Sequence, residues 1–191
     1  MPSVSENGIV LLVDDEPEVA DVYSLRLGDS YETRVAYGGR EALETIDVDV
    51  DVVLLDRRMP DISGDEVLEQ IREKGYDCRV IMLTAVDPGL EIVEMPFDDY
   101  LCKPVEKADL VAAIDQQLQV QEYDEQLSEY YEVTSKLALL ESELPPEELE
   151  KSNEVTRLQE RSEELESEMS DLLEEFESIE EAFGDIGRHP G

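Results

Sequence analysis

Glycine and proline divide this chain more sharply than any other feature. Six of the nine prolines and seven of the ten glycines fall within residues 1–104. From Val105 to Leu144 there is neither, and the same holds from Glu147 to Phe183. Such residues are where a chain turns sharply, so the first part reads as a compact fold with frequent turns and the second as long helices. At 191 residues, this amounts to one ordinary domain plus an appendage.

In the first part, short apolar runs alternate with amphipathic stretches. Ile9–Val13, Thr33–Ala36, Val52–Leu55, Val80–Leu83 and Asp99–Cys102 read as strands, and Pro17–Leu27, Arg40–Ile46, Gly64–Glu73 and Lys107–Leu118 as helices. Pro17 suits a first helical turn, and Gly28 and Gly75 suit helix exits. Strands that are apolar nearly throughout, alternating with helices, imply an α/β fold with a parallel sheet covered on both faces. Between the fourth and fifth strands, Pro88, Gly89 and Pro96 leave room for one or two turns at Leu90–Glu94.

The second part carries two apolar stripes. One is Tyr130, Val133, Leu137, Leu140 and Leu144; the other is Leu158, Leu165, Met169, Leu172, Phe176, Ile179 and Phe183. Spacings mainly of three and four place each set on one helix face. Pro145 stops the first helix and Pro146 can start the second, which makes an antiparallel helical hairpin. Nothing breaks the backbone from Lys107 to Leu144, so one helix of roughly 55 Å is possible at about 1.5 Å per residue. The stripe fades over Gln116–Gln126, which is the expected hinge or helix boundary.

Charge narrows the function. With 51 Asp and Glu against 15 Lys and Arg, the net charge is −36. The excess is even: residues 1–116 carry 28 acids and 10 bases, residues 117–191 carry 23 and 5, and each part is −18. An acidic coat over apolar periodicity fits a protein kept hydrated in concentrated salt, where the Debye length at about 1 M is about 3 Å. The expectation is a cytoplasmic protein of an extreme halophile, the alternative an acidic mesophilic one. The balance argues against a broad basic face for DNA, whose phosphates need Lys and Arg. No run of about 18 apolar residues and no basic-then-apolar leader is present, so no membrane association is expected. Cys78 and Cys102 lack metal or redox spacing and read as buried free thiols. His189 is the one histidine, which leaves little support for His-based catalysis or metal binding.

The polar residues at the strand ends carry the chemistry. Asp14, Asp15 and Glu16 follow the first strand, Asp56 ends the third, Thr84 ends the fourth and Lys103 follows the fifth. In an open parallel sheet, these carboxyl ends share one edge, and ligands bind there. Clustered carboxylates suit Mg²⁺, which prefers oxygen ligands. A carboxylate beside that ion can attack phosphorus, while a lysine and a hydroxyl receive the phosphoryl oxygens.

The stretches Val13-Asp14-Asp15-Glu16-Pro17, Leu54-Leu55-Asp56-Arg57-Arg58-Met59-Pro60, Leu83-Thr84-Ala85 and Asp98-Asp99-Tyr100-Leu101-Cys102-Lys103-Pro104 resemble the CheY-like receiver domain of two-component response regulators. The resemblance covers about residues 8–120. It implies a flavodoxin-like, doubly wound five-stranded parallel sheet in the order 2-1-3-4-5. It further implies that Asp56 accepts phosphate from the phosphohistidine of a sensor histidine kinase. Asp15 would bind Mg²⁺ directly, Asp14 chiefly through water, and the Arg58 backbone carbonyl would complete the ligands with Asp56. Thr84 would close on the phosphoryl group, Lys103 would pair with it, and Tyr100 matches the aromatic that swings inward with the threonine. The interval from Thr84 to Lys103 is about three residues shorter than the family pattern, so the fourth helix should be short or irregular, and a dimer through that face is in doubt.

The acidic second part resembles the HalX domain, a helical module attached to receivers in halophilic archaea, which implies a role in transcription. The expected organisation is a receiver over 1–120, a HalX-like all-α hairpin over 121–186 and a flexible tail over 187–191. A haloacid-dehalogenase-type phosphatase would need an aspartate two residues after the nucleophile, where this chain has Arg58. A third reading is an adaptor that forms a homodimer when two hairpins build a four-helix bundle. Direct DNA binding has little support, since Glu147–Glu181 contains Lys151, Arg157 and Arg161 against many acids.

Overall fold

The computed structural model describes residues 8–185, with side chains described through Glu174. Two compact units divide between Leu118 and Gln119.

The first unit holds five parallel strands, β1 Ile9–Val13, β2 Glu32–Ala36, β3 Val52–Leu55, β4 Arg79–Thr84 and β5 Asp99–Cys102, in the order β2-β1-β3-β4-β5. They lie where the apolar runs predict them. Strand residues alternate between two cores. Leu11, Val13, Val53, Leu55, Val80 and Met82 face one side, with Ala42 of α2 (Gly39–Thr45) and Val67, Leu68 and Ile71 of α3 (Gly64–Glu73). Val10, Leu12, Val52, Leu54, Ile81 and Leu83 face the other, with Tyr23 and Leu27 of α1 (Pro17–Leu27) and Leu110, Ala113 and Ile114 of α4 (Lys107–Glu143). Burial on both faces explains the near-continuous apolar runs of β1, β3 and β4, whereas the edge strand β2 is only partly buried and keeps Glu32, Thr33 and Arg34.

Local chemistry sets the helix ends. Pro17 occupies the first turn of α1. Ser63 and Glu66 close a capping box at the start of α3, and Gly75 leaves that helix at φ 74°. Gly28 caps α1 in ordinary right-handed geometry, φ −61°, so its position but not its conformational freedom matters there. After β4 the chain makes a five-residue 3-10 helix, Leu90–Glu94, where the shortened interval allows no full helix. Arg72 holds the return to β5: its guanidinium donates to the carbonyls of Pro96 and Cys78 and to Asp98.

Helix α4 runs unbroken through the glutamine-rich stretch, so the helix boundary expected there is absent, although the two compact units divide within it. Glutamine is a good helix former, and half-buried Val120, Tyr123 and Leu127 keep the three–four spacing alive. In the second unit, Glu129 and Tyr130 meet Arg161 and Glu166 of α6 (Asn153–Asp185), while Glu122 and Gln126 line a cleft with Glu168 and Asp171. Falling numbers on one helix against rising numbers on the other make the hairpin antiparallel. Its seam buries Val133, Val155, Leu165 and Met169.

The second helix departs from expectation at its start. Pro146 opens a single turn, α5 Pro146–Leu149, and α6 begins at Asn153. Ser152 accounts for the restart, because its hydroxyl accepts the Val155 amide at 3.3 Å. Val155 and Ser162 fill the gaps in the second stripe. The side chains of Phe176, Ile179 and Phe183, together with His189 and the 187–191 tail, lie outside the described residues.

Candidate functional site

The register brings the strand exits together. Val13 pairs with Leu55, so Asp14 and Asp56 leave adjacent strands at the same level. Thr84 pairs with Cys102, which puts Lys103 one step beyond the end of β4. Oxygens of Asp14, Asp15 and Asp56 lie within 4.8 Å of one another; Asp14 and Asp56 are buried and Asp15 is half-buried. The Lys103 ammonium contacts Asp14 Oδ2 and stands 3.8 Å from Asp56 Oδ1. The Glu16 amide donates to Asp14 Oδ1 at 2.9 Å and fixes that carboxylate.

Burial pushes the Asp56 carboxyl above the ordinary aspartate range. The Lys103 ammonium and a hydrogen bond with Thr84 pull it back, and the Asp14 charge adds to the rise. Lys103 offsets one charge among three carboxylates, so the oxygen set remains anionic. That donor set fits a hard divalent cation such as Mg²⁺. A cleft of about 480 Å³, lined by Asp15, Tyr37, Arg40, Glu41 and Asp61, gives solvent access beside Asp15.

Asp14, Asp15, Asp56, Thr84 and Lys103 therefore share the edge at which the sequence puts them. Arg58 follows in the loop after β3 with its side chain exposed. Tyr100 is buried on β5, and its hydroxyl donates to the Val86 carbonyl at 2.7 Å. The amide of Val86 donates to Thr84 Oγ1 at 3.3 Å, so one residue links hydroxyl and aromatic. Burial pushes the Tyr100 phenol up, opposed by the Arg57 guanidinium beside it.

Three participants escape the sequence reading: Val86, Arg57 and Gly64. A Cβ at Gly64 would stand 2.2 Å from the Asp56 carbonyl oxygen, so only glycine lets α3 start against the acceptor strand. The signal for Gly64 is its place eight residues after Asp56 at the head of a helix. Val86 and Arg57 act through contacts that spacing does not encode.

Comparisons with known proteins match both parts of the chain. The response regulator receiver domain family matches residues 10–115, and the HalX domain family matches 119–186. A Haloferax volcanii protein, provisionally named a transcriptional regulator, is 48% identical over 135 residues, which are 70% of this chain and 23% of that protein. This chain thus spans under a quarter of that relative's length. The CheY-like receiver domain structure from Methanospirillum hungatei aligns with a TM-score of 0.58 at 29% identity, over 62% of this chain and 98% of its own. The response regulator TrrA from Thermotoga maritima, solved with Mg²⁺ and BeF, aligns with a TM-score of 0.50 at 32% identity, over 58% of this chain and 99% of its own. With its receiver match spanning more than half of its residues, the chain belongs to the response regulator receiver family and carries a HalX domain behind the receiver.

Proposed function

We propose that this protein is a cytoplasmic response regulator that accepts a phosphoryl group on Asp56, in a Mg²⁺-dependent reaction, from the phosphohistidine of a sensor histidine kinase. The receiver, residues 1–120, passes that state to the helical module over 121–186, with transcription as the regulated process. The observation that carries the reading is the meeting of Asp14, Asp15 and Asp56 within 4.8 Å under the Lys103 ammonium. The TrrA complex with Mg²⁺ and BeF supports it by likeness of fold.

An Asp56 oxygen attacks phosphorus while the P–N bond to imidazole breaks. The electron pair leaves with the histidine nitrogen, which takes a proton from solvent, and Asp56 carries an acyl phosphate. Mg²⁺ would be held by Asp15 and Asp56, by Asp14 chiefly through water, and by the Arg58 backbone carbonyl; when bound, it neutralises phosphoryl oxygens. Lys103 moves from Asp14 toward the arriving charge. The Thr84 hydroxyl turns to a phosphoryl oxygen, and the shared contact at Val86 carries that movement to Tyr100.

Incubation with Mg²⁺ and acetyl phosphate in high KCl is expected to add one phosphoryl mass to the wild type and none to Asp56→Asn. An unmodified wild type, or equal labelling of the variant, would overturn the reading.

A second reading, an adaptor that dimerises through its hairpin without touching DNA, is favoured by one observation. Arg161, the most connected base of the hairpin, is already engaged by Glu129, Glu164 and Glu168, while Tyr131 and Leu139 stay exposed. Light scattering in high salt decides it, since a strict monomer with and without phosphoryl transfer removes the adaptor.

A further inference from the structure

The residue directly after the acceptor forms a bridge that spacing does not reveal. Arg57 Nε lies 3.0 Å from Asp65 Oδ1 on α3, and Nη2 lies 3.2 Å from Asp65 Oδ2. Its Nη1 donates to Glu91 Oε1 at 3.0 Å, on the 3-10 helix. The Arg57 side chain is only 12% exposed, although both partners face solvent. Its backbone is pinned as well: the Gly64 amide donates to the Arg57 carbonyl at 2.9 Å. With that peptide held, a change at Asp56 reaches the guanidinium through charge.

The other end of the bridge is lightly held. No residue of Leu90–Glu94 is buried, and Leu90 and Val93 are 91% and 78% exposed. Ile92, Met95 and Phe97 pack at the core's margin. Segments with few buried contacts open at low free-energy cost, so one ion pair can shift their population.

We propose that Arg57 is a positioning residue that tethers the 3-10 helix through Glu91 while Asp56 is unmodified and releases it when Asp56 is phosphorylated. The proposal rests on Asp56 as phosphoryl acceptor. New negative charge beside Arg57 acts with opposite sign on the two ends of the bridge, attracting the guanidinium and repelling Glu91. Release loosens the segment that displays Leu90 and Val93, so the state of the pocket becomes a change in an apolar surface.

The test is hydrogen exchange of residues 88–95 in the full chain at high KCl, with and without Mg²⁺ and beryllofluoride as phosphoryl mimic. Wild-type exchange is expected to rise about fivefold on beryllofluoride addition, the scale of one surface ion pair lost. Glu91→Gln should start at the raised rate and respond less than about twofold, and Arg57→Lys, which keeps charge but loses the fork, should lie between. Fluorine NMR reports binding separately. Bound beryllofluoride with unchanged exchange in the wild type overturns the release and leaves the acceptor reading standing. Basal exchange in Glu91→Gln equal to wild type overturns the tether. Absence of a bound fluoride resonance in the wild type overturns the acceptor reading and the coupling together.

Discussion

The receiver edge and the helical hairpin use acidic residues in opposite ways, although the two parts of the chain carry equal net charge. At the receiver edge, Asp14 and Asp56 are buried, and a 13% exposed Lys103 lies against them. In the hairpin, Glu129, Glu164 and Glu168 gather around Arg161, whose side chain is 36% exposed. Buried charges interact through a poorly screening medium and must be compensated, whereas exposed ones are hydrated and screened. The receiver edge thus depends on its ions, and the hairpin depends on its apolar seam. Equal charge in a composition therefore says nothing about equal chemistry.

The largest effect should come from breaking the buried set. Lys103→Ala leaves the Asp14 and Asp56 carboxylates without their shared cation, and the expected loss is about 3–5 kcal/mol in Mg²⁺-free buffer. Denaturant unfolding at fixed KCl measures it. A loss under about 1 kcal/mol would mean that solvent reaches this edge and that its carboxylates behave like the hairpin's. The hairpin counterpart removes carbon rather than charge. Leu165 is fully buried in the seam, and Leu165→Ala should cost about 2–5 kcal/mol. Circular dichroism on heating the full chain follows it, and a neutral outcome would mean that the seam does not hold the helices.

The same contrast explains what the sequence makes legible. Strands β1 and β3, buried on both faces, announce themselves as unbroken apolar runs that end abruptly at Asp14 and Asp56, so that edge could be read directly. Thr84 was readable from the strand that it ends, and Tyr100 only from the resemblance to the receiver family. Arg57 was not, because its partners Asp65 and Glu91 lie 8 and 34 residues away and only the fold brings them together. In the hairpin, Val155 and Ser162 complete the stripe, yet the double proline drew the start of the second helix to Pro146. The Ser152 cap that restarts it is a weaker signal than proline, although it decides the boundary.

The smallest effect separates the two regions most cleanly. Arg161 makes two contacts of 2.8 Å with Glu129 and weaker ones with Glu164 and Glu168. Exposed pairs of this kind contribute about 0.2–1 kcal/mol, so Arg161→Ala should fall at or below about 1 kcal/mol and shrink further in concentrated KCl. The hydrogen bond from Arg161 holds the Glu129 carboxyl below its ordinary value of 4.5. A carboxyl lowered in the folded state stabilises it above the unfolded value and loses that contribution as pH falls through the folded one. Wild type and Arg161→Ala should therefore differ fully above pH 4.5 and converge below it, as read by urea unfolding across the acid range. If Arg161→Ala proved as costly as Lys103→Ala and insensitive to salt, the hairpin's acids would form a second compensated cluster, and the division between reactive edge and hydrated coat would fall.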